Sequence, residues 1–194
     1  ALLCLQRALR YNNRDVEACR LMAQLAEAGR SPAALVWRSR VVELNPGSTD
    51  DRLALAQTAM TPPRDYASAT NALEGVDAAG KKTAAYHNIA GAVAAAANQL
   101  APAEAHFLEA ARLEPQNVLL QLNLSMVRLR GTNAPSLAEA RSALQRISTN
   151  PTNSSLRCLA LRELTEDALR QKQSATALSF SKQLLSETNS VFRD

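Results

Sequence analysis

"FLEAARLEPQNVLLQLNL", residues 107–124, contains two runs of helical apolar spacing that meet at Pro115. Proline has no backbone N–H and its ring clashes with the preceding turn, so Pro115 must lie outside the interior of any helix. The stretch therefore predicts one helix ending just before Pro115 and a second starting just after it. If the same break recurs at a fixed spacing, the chain is an array of helical hairpins.

Two series of residues carry such a spacing. A bulky apolar residue followed at once by a small one stands at Met22-Ala23, Leu55-Ala56, Ile89-Ala90, Leu124-Ser125 and Leu159-Ala160, at intervals of 33, 34, 35 and 35. Alanines stand at 1, 34, 69, 103, 140 and 177, at intervals of 33, 35, 34, 37 and 37. Twelve residues after four of these alanines come Asn13, Pro46, Pro115 and Asn189, all residues that interrupt helices. Two independent series with nearly one period indicate a repeat architecture. An alanine at the centre of each helix lets two backbones approach closely, and Leu5, Leu73, Phe107 and Leu144 follow one turn later to fill the space.

The stretch Tyr86, Ile89-Ala90, Val93, Ala103, Phe107, Ala110, Pro115 resembles the tetratricopeptide repeat, whose pattern is W-x2-L-G-x2-Y, then A-x3-F, then P, over 34 residues. Several copies depart from it: Arg38 and Ser181 stand where an aromatic is usual, Arg128 and Glu163 replace the tyrosine, and "EGVDAAGKK" (74–82) lacks a terminal proline. The resemblance implies an all-α, TPR-like α-solenoid of antiparallel helix pairs in a right-handed superhelix, with about eleven helices. It divides residues 1–194 into a partial repeat at 1–13, full repeats at 14–47, 48–81, 82–116, 117–152 and 153–188, and at 189–194 the start of a further repeat or a linker. First helices are expected near 14–28, 49–60, 82–98, 117–130 and 154–171, and second helices near 32–44, 64–75, 101–113, 136–148 and 174–188, after an orphan helix at 1–12. Ser136 with Glu139 reads as a capping box, and Pro32 and Pro102 fit a first turn. Both ends of such an array would expose apolar faces. The chain is thus expected to be a segment of a longer protein, or to pack end-on against another copy.

Bulk composition agrees with a helical array. Hydrophobic residues make up 46% and aromatics only 4%, so helices must meet through aliphatic side chains and alanine. The net charge of +4 is too small to argue for nucleic acid by itself. Cys4, Cys19 and Cys158 form no C-x-x-C and are odd in number, which signals neither a zinc site nor a disulfide framework and fits a reducing, cytoplasmic compartment. The longest apolar run, around "IAGAVAAAANQL" (89–100), is too short and alanine-rich to span a bilayer. An anchoring or targeting segment would lie outside these residues.

No residues converge on a catalytic or metal-binding pattern. His87 and His106 have no Cys, Asp or Glu at i±4, and the "GKK" at 80–82 lacks the glycine and Ser/Thr of a P-loop. No cofactor or metal is expected, and function is assigned to surface. In the family resembled, first helices line a groove that holds a peptide. Transferred to this chain, the groove comprises Arg20, Gln24 and Glu27; Leu53, Gln57 and Met60; His87, Asn88 and Gly91; Leu122, Asn123 and Met126; and Arg157, Leu161 and Leu164. Asn88 and Asn123, 35 apart, are placed to hydrogen-bond a bound main chain. The resemblance implies a non-catalytic scaffold for a protein or peptide partner. A helical repeat that binds nucleic acid, and a substrate-orienting array attached to an enzyme, are the alternatives. The carboxylate clamp of one subset of the family is missing, because Ala54, Ala84 and Asn88 stand where further clamp residues would be needed.

Overall fold

The computed structural model describes residues 2–150 and 152–191, with the side chains of 188–191 outside the description. Eleven α-helices are present among the described residues: α1 Leu2–Tyr11, α2 Val16–Ala28, α3 Ala33–Leu44, α4 Thr49–Ala59, α5 Tyr66–Glu74, α6 Ala84–Ala96, α7 Leu100–Leu113, α8 Val118–Arg128, α9 Ala134–Ser148, α10 Ser154–Arg170 and α11 Ser174–Val191. No described residue lies in a strand. By residue contacts the chain divides into two compact units, Ala1–Ala97 and Asn98–Asp194. The division falls between α6 and α7.

In the first unit each helix packs on the next, and α4 also packs on α6. Its core gathers Leu53, Leu55, Ala56, Ala72, Leu73, Val76, Ile89 and Ala90. In the second unit α7 to α11 follow the same neighbour-on-neighbour order, with α8 also against α10. That core is built on Leu122, Leu129, Ala140, Leu144, Ile147, Ala160 and Leu164. The alanine series explains the close approach of the helices. Ala34, Ala69, Ala103, Ala140 and Ala177 are at most 5% exposed, so no space is left for a larger side chain. Ala1, the first of the series, lies outside the described residues.

Side-chain caps start most of the helices. Asp15, Ser48, Asp65, Thr83, Asn117, Asn133 and Asn153 each accept a backbone N–H from the first turn that follows. One expectation is corrected here. Ser136 does not cap α9: its own N–H is donated to Asn133 Oδ1 at 3.3 Å, and the helix begins at Ala134, with Pro135 in the first turn where a missing N–H costs nothing. A second correction concerns Asn189, which was expected to break the last helix, whereas α11 runs on to Val191. Of the start of a further repeat or linker expected at 189–194, residues 192–194 lie outside the described residues.

The segment without a terminal proline has a different terminator. After α5 the chain turns through Gly75 and a short 3-10 helix, Gly80–Lys82, before Thr83 caps α6. Asp77 Oδ1 accepts both the Gly80 N–H and the Thr49 hydroxyl at 2.8 Å, tying this linker to the start of α4. A Cβ at Gly80 would stand 2.5 Å from Thr49 Cγ2 and 2.7 Å from Val76 Cγ1, so only glycine allows the approach.

Candidate partner-binding site

Two of the departures from the repeat pattern, Arg38 and Arg128, form ion pairs that join helices, whereas Ser181 donates to the Ala177 carbonyl within α11 and Glu163 pairs with Arg162 within α10. Arg38, in α3 at an aromatic position, is buried and grips Glu27 of α2 with two bonds, at 2.7 and 2.8 Å. Glu27 Oε1 also accepts the hydroxyl of Thr58 in α4 at 2.6 Å, so one carboxylate holds three helices. Arg128, at a tyrosine position in α8, reaches Glu104 of α7 at 2.8 Å and Glu139 of α9 at 2.9 Å. A guanidinium can occupy a slot shaped for a ring because its plane is flat and its rim carries donors that carboxylates satisfy in pairs. Arg20 of α2 adds a fork to Asp51 of α4 at 2.8 and 2.6 Å, and Arg141 of α9 meets Asp167 of α10 at 2.7 Å.

These pairs set the charge states. The Arg38 guanidinium, despite partial burial, holds the Glu27 carboxyl below its ordinary value, and Arg20 does the same for Asp51. No buried side-chain nitrogen or oxygen among the described residues lacks a hydrogen-bond partner.

The expected groove residues sort into three groups. Leu53, Leu122, Leu161, Leu164 and Gly91 are buried, and the four leucines pack in the helix core rather than presenting themselves to a ligand. Arg20, Glu27 and Arg157 are engaged between helices, Arg157 with Glu187 of α11. Gln24 and Gln57 are exposed, while Met60, His87, Asn88, Asn123 and Met126 are half-buried. In the first unit α2, α4 and α6 bring Gln24, Gln57, Met60, His87 and Asn88; in the second, α8 brings Asn123 and Met126. The His87 ring stands edge-on to Tyr86, with centroids 5.5 Å apart. The sequence reading missed Leu21, Leu25 and Leu119, each about 40% exposed on a first helix. Leu21 and Leu25, one turn apart beside Gln24, give the first unit an apolar strip that periodicity alone assigns to the core.

No group of three or more His, Cys, Asp and Glu among the described residues is arranged to hold a metal. No described helix is long and apolar enough to cross a membrane.

Eleven helices among the described residues, packed neighbour on neighbour within each unit, with small residues recurring every 33 to 37 residues, define the architecture. Solved structures with this arrangement include YrrB, a TPR protein with an unusual peptide-binding site, which superposes with a TM-score of 0.60 at 16% identity over 94% of this chain and 91% of that one. The chain has the fold of the tetratricopeptide-repeat family. PilW, a type IV pilus biogenesis factor, matches with a TM-score of 0.74 at 14% identity, over 97% of this chain and 87% of that one. Yeast Tom70 matches with a TM-score of 0.62 at 14% identity over 93% of this chain, which spans 38% of Tom70. No family model matches the sequence. No curated protein matches it by sequence either. The likeness to these solved structures, at 14–16% identity, is therefore one of fold.

Proposed function

We propose that this TPR array is a non-catalytic scaffold that binds a peptide or partner protein on the faces of its first helices, α2, α4 and α6 in one unit and α8 and α10 in the other. The observation that carries this reading is the division of labour on those helices. Four charged side chains on those helices, Arg20, Glu27, Arg128 and Arg157, are spent on neighbouring helices, while the uncharged Gln24 and Gln57 are exposed and Asn123 and Met126 half-buried. A face of this kind suits main-chain amides and apolar side chains more than phosphates. The peptide-binding site of YrrB, on the same fold, supports the reading. Residues outside the core are the ones proposed to contact the partner; Leu53, Leu122, Leu161 and Leu164 position them.

The test is site-specific cross-linking. A photoreactive residue at Gln57 is expected to trap a partner that the same residue at Thr70, on the second helix α5, does not trap. The trapped partner should then lose binding to the Gln24→Lys, Gln57→Lys double variant. Equal trapping at both places, or binding that survives the double variant, would overturn the assignment to this face.

A further inference from the structure

A second binding feature lies away from the first helices. Between α1 and α3 runs a cleft of about 370 Å³ lined by Leu9, Asn13, Val36, Trp37 and Arg40. Its apolar wall is open to solvent: Val36 is 68% exposed. Trp37 is the protein's single tryptophan.

Charge around this cleft is lopsided. Residues 1–48 hold seven arginines and four carboxylates, Asp15, Glu17, Glu27 and Glu43. Every one of the four is already engaged. Asp15 caps α2, Glu17 bonds Arg20, Glu27 bonds Arg38, and Glu43 bonds Arg40 at 3.0 Å. Arg7, Arg10 and Arg14 have no ion-pair partner among the described residues, and residues 1–14 contain no acidic side chain. Arg10 and Arg14 are exposed and directly follow the lining residues Leu9 and Asn13 in sequence, and Arg40 lines the slot itself, so the segment that forms the slot carries uncompensated positive charge.

We propose that the α1/α3 cleft is a second docking site, for an acidic segment of a partner protein that seats one apolar side chain against Trp37. The slot contributes burial of one side chain. The arginine rim contributes long-range attraction and selects acidic over basic segments. A bare polyanion would satisfy the rim and leave the slot open to water.

Because Trp37 lines the slot, its emission reports occupancy directly. The intact chain is titrated with a short synthetic peptide of Glu and Asp carrying one central phenylalanine. A saturable change in emission is expected, weakening as salt rises. A lysine-for-acid peptide should give no change, and an alanine-for-phenylalanine peptide a much weaker one. Arg10→Glu with Arg14→Glu should weaken the acidic peptide roughly tenfold or more by reversing rim charge, and Val36→Asp, at an exposed position that leaves folding intact, should do the same. The proposal is overturned by any of three results: no emission change up to millimolar peptide, equal response to the lysine peptide, or unchanged affinity in both variants with far-UV circular dichroism like the parent. Single-stranded DNA that displaces the peptide at equal or lower concentration would also overturn it, in favour of phosphate binding.

Discussion

At the scale of single residues, the structure separates two kinds of position that a sequence presents alike. Leu122 is fully buried on a first helix, whereas Leu178 on α11 is 57% exposed. Leu122→Ala should therefore cost about 2–5 kcal/mol and Leu178→Ala within about 0.5 kcal/mol, as read from urea unfolding midpoints. Ala103 has no exposed surface, and Ala103→Leu should overpack its helix crossing at a cost of about 1–3 kcal/mol. The alanines were legible because small size at a fixed period leaves a mark in sequence. The arginine pairs were not, since their partners lie 11 to 31 residues away and follow no period. Acid titration should expose them. Asp51 and Glu27 have folded-state values depressed below ordinary carboxylates, chiefly by Arg20 and Arg38, so their contribution is complete above the unfolded-state values of 3.8 and 4.5 and is lost as pH falls through the lower folded ones. The melting temperature should hold nearly level from neutral pH to about 5 and fall below about 4, and Asp51→Asn should flatten that fall. An equally steep acid limb in the variant would remove Asp51 from the account.

At the scale of elements, helix ends are where sequence and structure differ most. The period predicted every helix, yet α9 starts two residues before Ser136 because Asn133 accepts the first-turn N–H instead. A capping pattern names several candidate residues, and only the loop geometry selects among them. The turns joining first to second helices differ too. Arg30, Asn98 and Lys172 sit at φ of 50°, 58° and 59°, the left-handed region where a side chain crowds the following carbonyl. Each ends a first helix where glycine is the usual terminator. Lys172→Gly should raise stability by about 0.5–1 kcal/mol, the relief of crowding exceeding the added freedom of the unfolded chain. A decrease would mean that the lysine stem makes contacts worth more than the strain.

At the scale of the whole molecule, the helices that touch within each unit are near neighbours in sequence. Little chain has to be closed into loops before contacts form, so the main refolding phase should finish within milliseconds by stopped-flow circular dichroism. A main phase of seconds would require long-range pairing that this architecture lacks. The repeat architecture was readable because stacking imposes its period on every copy. The partner-facing surface was not, because burial depends on how each helix is rotated, and a one-residue phase error exchanges core for surface. Leu122 and Asn123, adjacent in sequence, fall on opposite sides of that line.

The Glu27 junction carries a consequence for how such a chain can change over generations. Converting Arg38 alone to the aromatic residue usual at its place would leave an acid half sunk between rods with just one hydroxyl for company. The three residues are therefore free to drift only in concert, and natural variants that lose the base at 38 should also have shed the acid at 27.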